Sequence, residues 1–183
     1  MATDAKADSL IEALAQVEGK AEIVDGEIVL MPPAGDLHSR SGSAIWLSLR
    51  HYERNVRGGR AYGDNVGFLV DLPRRRSFSP DVAFYVGPRS GGDFLTGAPV
   101  FAVEIRSKRD YRPAAEKALS AKRADYFAAG TKVVWDVEVL REGWIRVYRA
   151  TAPNSPAAHG RGQTADAEPA LPGWSFPVDD LFD

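Results

Sequence analysis

Cysteine is absent from all 183 residues. That excludes a disulfide framework and any thiolate metal site, so a metal here has to be held by oxygen or imidazole ligands. Histidine is scarce, with three in the chain, and His51 and His159 have no metal-ligand spacing to another histidine. Carboxylates become the main suspects. A long apolar run is missing too, and the opening MATDAKADSLIEALAQ is acidic where a signal peptide needs a cationic start and an apolar segment. A cytosolic, cytoplasmic protein is the expectation. Nor is there an excess of one charge. With 23 basic against 25 acidic residues the net charge is -2, so any contact with DNA must come from locally basic stretches. The loop GPRSGGDFLTG lacks the ordered glycines and lysine of a P-loop, and Ser39, Ser41 and Ser43 have no elbow motif. Nucleotide binding and serine hydrolase chemistry are set aside on those grounds.

What is present is a sizeable core, with 44% hydrophobic residues in a length that suits one domain. The expected division is an N-terminal helix and hairpin over 1–33, an α/β core over 34–150 and a tail over 151–183 that packs on the core. The spacing predicts a helix over 8–17, then a hairpin whose strands Ala21 to Val24 and Ile28 to Met31 flank the turn Asp25-Gly26. A substantial helix follows, capped by Asp36, with Leu37, Ile45, Leu49, Tyr52 and Val56 on one stripe, and it ends before Gly58-Gly59. Strands are expected over Arg60 to Asp71, Phe78 to Val86 and Val100 to Ile105. A helix follows Pro113, two more strands follow Gly130, and the aromatics of LPGWSFPVDDLF tuck back onto the body. This order predicts a mixed central sheet covered by helices.

One strand carries a chemical anomaly. In FAVEIRSKRD the apolar run is interrupted by Glu104, which alternation places with Val100 and Ala102 on a covered face. A buried ionised carboxylate costs several kcal/mol unless it is paired or binds a cation. The preceding strand offers a second acid, Asp81, fixed at the strand's start by Pro80. On the next helix, Leu119, Lys122 and Tyr126 share a face with Ala115. Two acids and a lysine form a minimal set for metal-assisted phosphodiester hydrolysis, in which the acids hold a hard cation such as Mg²⁺ (or Mn²⁺) and the lysine orients or deprotonates water. Two other readings stay open: ion pairing of each acid with a nearby arginine, and snorkelling of Lys122.

The combination of Pro80-Asp81, EIRS at Glu104 to Ser107 and KRADYFAAGTKVVWDV at Lys122 to Val137 resembles the Uma-two family of restriction-endonuclease-like proteins. That family is similar to nucleases of the PD-(D/E)xK superfamily. The stretches Ile23 to Leu49 and Pro172 to Phe182 extend the resemblance over nearly the whole chain. It implies a Mg²⁺-dependent DNA endonuclease with Asp81, Glu104 and the Ile105 carbonyl as metal ligands and Lys122 near the attacking water. Glu27, His38 and Tyr126 are accessory candidates. Arg74, Arg75, Arg76, Arg106, Lys108 and Arg109 are the expected contacts to DNA, and a homodimer suits cleavage of both strands. The superfamily's usual lysine, two residues after the glutamate, is replaced here by Arg106, which is almost never neutral and makes a poor base. Lys108 and Lys117 are weaker claimants to the lysine role than Lys122. The alternative is a catalytically inactive nuclease fold that binds nucleic acid or a protein partner.

Overall fold

The computed structural model describes residues 2–56 and 58–183. Helix α1 (Ala2–Leu14) precedes a hairpin of β1 (Ala21–Val24) and β2 (Glu27–Leu30), and α2 (Asp36–Asn55) follows. Next come β3 (Arg60–Tyr62), β4 (Phe68–Leu69), β5 (Ser77–Phe78), β6 (Val82–Tyr85), β7 (Leu95–Thr96) and β8 (Phe101–Ile105). Helix α3 (Pro113–Ala128) then leads to β9 (Val133–Glu138), β10 (Trp144–Arg149), β11 (Ala152–Gly160), β12 (Thr164–Asp166) and β13 (Ser175–Pro177). The central sheet has the order β11-β10-β9-β8-β6-β3. Only its β8–β9 pair is parallel. Parallel neighbours need a crossover, and α3 supplies it.

The inner strands of this sheet, β6, β8 and β9, are almost wholly buried on both faces. Phe101, Val103 and Ile105 join Ile45 and Leu49 of α2 and the C-terminal Trp174, Phe176 and Leu181 in one core. Ala102 and Val134 face the other way, toward Tyr126 of α3 and Phe68, Phe78 and Leu95 of a small sheet ordered β5-β4-β7. The hairpin docks outside that small sheet through backbone bonds from Asp25 to the Arg74 carbonyl and from Arg76 to the Ile23 carbonyl.

Several details differ from the pattern-based expectation. Gly35 occupies the N-cap position of α2, with no side-chain cap, so Asp36 is the first helical residue. Leu37 is exposed, and Ser41 takes the buried place on the stripe, its hydroxyl donating to the carbonyls of Leu37 and Leu181. The segment from Arg60 to Asp71 splits into β3 and β4, because Gly63, Asp64 and Asn65 turn the chain and Asn65 adopts a positive φ of 64°. The tail contains β11, an edge strand disguised by the exposed Pro153 and the half-buried Pro156.

The C-terminal aromatics close the core. Trp174 stacks on Trp135 with ring centroids 5.1 Å apart, and its indole N–H donates to Ser48 at 3.1 Å. Trp174→Ala is therefore expected to destabilise the protein by about 3–5 kcal/mol, the usual cost of deleting a buried aromatic. A urea unfolding midpoint that does not move would show that the tail is not part of the cooperative core.

Candidate active site

Strands β6 and β8 run antiparallel with Val82 opposite Val103. One step beyond that pair, Asp81 at the entrance to β6 lies opposite Glu104 near the end of β8. Opposed residues of an antiparallel pair project to the same face. The backbone N–H of Asp81 donates to the Val103 carbonyl at 3.1 Å, and Ile105 N–H donates to Asp81 Oδ2 at 2.7 Å. Asp81 is thus held at both its backbone and its carboxylate.

Each acid has a cation, and neither cation is an arginine. Lys20 Nζ lies 2.5 Å from Asp81 Oδ1 and 2.7 Å from Asp64, while His38 Nε2 stands 3.3 Å from Asp81 Oδ2. Lys122 Nζ lies 2.8 Å from Glu104 Oε1 and 2.8 Å from Glu22 Oε1. Tyr126, one turn along α3 from Lys122, donates its hydroxyl to Glu104 at 2.7 Å and stacks on Phe78 at 4.0 Å. Glu22 also accepts from Arg75 at 2.5 Å and from Ser79 N–H at 2.7 Å. Asp81, Glu104 and Lys122 therefore meet in one cluster, joined by His38 and Tyr126.

Burial and charge set the protonation states. Burial opposes ionisation of Asp81, but His38 and Lys20 outweigh it and hold the carboxyl well below its usual range. Glu104 is pushed up by burial, with Lys122 opposing and the Asp81 and Glu22 carboxylates adding to the rise. Burial pulls the Lys122 ammonium down, yet Glu104 and Glu22 more than reverse this, so Lys122 is a cation at neutral pH. It is a proton donor in this state, and an orienting charge.

The remaining sequence-predicted residues lie elsewhere. Glu27 is exposed on β2 and takes no part in the cluster. Arg106 is buried, donates to both carboxylate oxygens of Asp136 at 2.7 Å and reaches Glu116 at 2.8 Å. Arg75 is likewise buried between Glu22 and Asp125. A guanidinium committed to two buried or half-buried acids is not free for a phosphate, so neither residue is offered to DNA in this arrangement. Arg74 pairs with Asp25 and Arg76 with Asp71, both at the surface, while Lys108, Arg109 and Lys117 are exposed.

Sequence reasoning missed Glu22 and Lys20. Their signal was the alternation Lys20, Glu22, Val24 against Ala21 and Ile23, which reads as a solvent-facing edge of a hairpin. Instead that polar edge meets the carboxylate end of the central strands. A second unforeseen feature is a cavity of about 380 Å³ beyond the N-terminus of α3, lined by Arg112, Arg141, Arg146 and Trp144 among others. Arg141 stacks over Tyr111 and Arg146 over Trp144, and among the described residues neither guanidinium has a carboxylate partner.

Among the described residues no group of three or more histidine or acidic side chains is arranged as a metal cage. Mg²⁺ does not require one, since it keeps several waters and is commonly bound through one or two carboxylates. Asp81 and Glu104, two hard-oxygen donors already compensated by cations, fit that chemistry.

Residues 9–179 match a family model, Uma2, whose description is "Putative restriction endonuclease". No curated protein matches the chain. A crystal structure titled as that of "a putative nuclease belonging to DUF820 from Anabaena variabilis" is similar, with a TM-score of 0.72 and 17% identity. The alignment covers 94% of this chain and 96% of that one. The fold is thus shared with that protein across almost its full length.

The cluster predicts a large stability effect at a residue outside the acid pair. Glu22→Gln leaves Arg75 and Lys122 without their shared carboxylate and is expected to cost about 3–5 kcal/mol in chemical denaturation, as when one partner of a buried ion pair is removed. Asp25→Asn, which breaks only the exposed pair with Arg74, should leave the midpoint in place. Equal effects from the two substitutions would refute the assignment of Glu22 to a desolvated network.

Proposed function

Since the chain belongs to the Uma2 family, whose description is "Putative restriction endonuclease", we propose that it is a divalent-metal-dependent DNA endonuclease centred on Asp81, Glu104 and Lys122. The observation that carries this reading is the convergence of Asp81 and Glu104 at paired strand ends with the α3-borne Lys122 beside them. Asp81, Glu104 and the Ile105 carbonyl would hold the ion, which when bound supplies Lewis-acid stabilisation of the scissile phosphate and a more acidic water.

The chain's own groups do the rest. Lys122, kept protonated by its two glutamates, orients the attacking water and offsets negative charge that develops on the phosphate. Tyr126 fixes the Glu104 carboxylate through its hydrogen bond, and His38 does the same for Asp81. Lys20 compensates Asp81 and would give up part of that contact if the carboxylate held a metal. The guanidiniums of Arg141 and Arg146, at the same end of the sheet and without a carboxylate partner among the described residues, suit the backbone phosphates of a bound strand better than the buried Arg75 and Arg106 do. Two copies of the chain would cut both strands of a duplex.

A second reading, a nuclease fold that binds nucleic acid or a protein without cutting, is favoured by one observation. The strand position two residues after Glu104 is spent on the Arg106–Asp136 pair.

Plasmid nicking separates the two. The native protein is expected to nick in Mg²⁺ or Mn²⁺ and to stop in EDTA. Lys122→Ala should lower the rate by about 10²–10³-fold, the usual effect of removing one transition-state-stabilising donor. No cleavage with any divalent metal, or undiminished cleavage by the variant, would leave the binding-only reading standing.

A further inference from the structure

We propose that a cavity beside Asp81 is a nucleobase subsite, and that the substrate presents an unpaired base next to the scissile phosphate, in a single strand or where a duplex is locally opened. This deepens the nuclease reading and rests on it. The cavity measures about 320 Å³ and opens between α2 and the turn after β3. That volume lies at the lower end of the range for small-ligand sites, about 300–1,000 Å³.

Helix α2 builds one wall. His38, Gly42 and Trp46 recur every four residues, with Ser39 and Ser43 alongside, so they line one strip of the helix. Gly63 and Asp64 form the opposite wall, and Asp81 is also part of the lining. A Cβ at Gly63 would stand 3.7 Å from the Trp46 ring, an ordinary van der Waals contact. Trp46 therefore lies along the Gly63 backbone, yet it remains 38% exposed. A large aromatic surface is left uncovered at the rim of a cavity that ends at a proposed metal ligand.

The charges at the cavity are paired among themselves, Lys20 with Asp64 and Asp81 and His38 with Asp81, so the open aromatic face is the feature that selects an occupant. The hydroxyl of Ser43 is spent on the Ser39 carbonyl at 2.9 Å. The Ser39 hydroxyl lines the cavity with no protein partner among the described residues and is free to bond the polar edge of a base. Every base has a π face that stacks on an aromatic side chain with little regard to sequence. A base inside a duplex must first be unstacked to enter, and that cost is least for one already unpaired.

The test uses fluorescence anisotropy with Ca²⁺ in place of Mg²⁺ and three labelled probes of equal length, each about ten nucleotides: a thymidine strand, its abasic counterpart and a duplex. The native protein should bind the thymidine strand about ten-fold more tightly than either other probe. Trp46→Ala should remove that preference without weakening the abasic strand, and Trp46→Phe should retain most of it. Equal binding of the thymidine and abasic strands, unchanged preference in Trp46→Ala, or no binding of any probe overturns the subsite. Plasmid nicking by the native protein then separates the failures. If nicking persists, only the base subsite is wrong; if it is absent too, the nuclease reading falls with it.

Discussion

The antiparallel pairing of β6 with β8 places two carboxylates, Asp81 and Glu104, opposite one another on a covered face of the sheet. Strand geometry leaves them no alternative direction, because reversing either side chain would require a one-residue slip that turns Val82 and Val103 out of the core. The surrounding structure answers this constraint. Lys122 comes from the crossover helix that the parallel β8–β9 pair requires, and Lys20 comes from a hairpin about sixty residues before Asp81.

Compensation extends outward in shells. Lys122 is shared with Glu22, Glu22 with Arg75, and Arg75 with Asp125 of the same helix that carries Lys122. The hairpin, α3 and the segment before β6 are thereby tied through charges that none of them could bury alone. A parallel network, Arg106 and Arg123 on Asp136 and Glu116, ties the other end of α3 to β8 and β9. Helix α3 has few buried apolar residues, and these ionic contacts help to explain how it stays on the sheet.

Much of this was legible in the residues. Alternation along FAVEI assigned Glu104 to the face of Ala102, and the hairpin turn at Asp25-Gly26 followed from local chemistry. Helical spacing placed Lys122 on the sheet-facing side of α3. Contacts between segments distant in sequence were not legible. Nothing in AEIV distinguishes a polar edge facing water from one facing a charge cluster, so Glu22 and Lys20 went unnoticed. Arg74 to Arg76 read as one basic surface, but alternation buries the middle residue and leaves its neighbours at the surface. The edge strand β11 escaped because its prolines and alanines carry no strand signature, and the pairing with β10 alone defines it.

A lysine on a strand is placed by the backbone ladder, and it keeps its position as long as the sheet survives. Lys122 is placed by a helix resting on a sheet. Under the proposed chemistry, catalytic competence is then a property of docking: loosening α3 would disperse the cluster while every strand stayed paired. Arg106 and Asp136, by clamping the start of that helix to the sheet, become guardians of the site without entering it. Activity in such a protein would report on the seating of one helix before any optical signal registered unfolding.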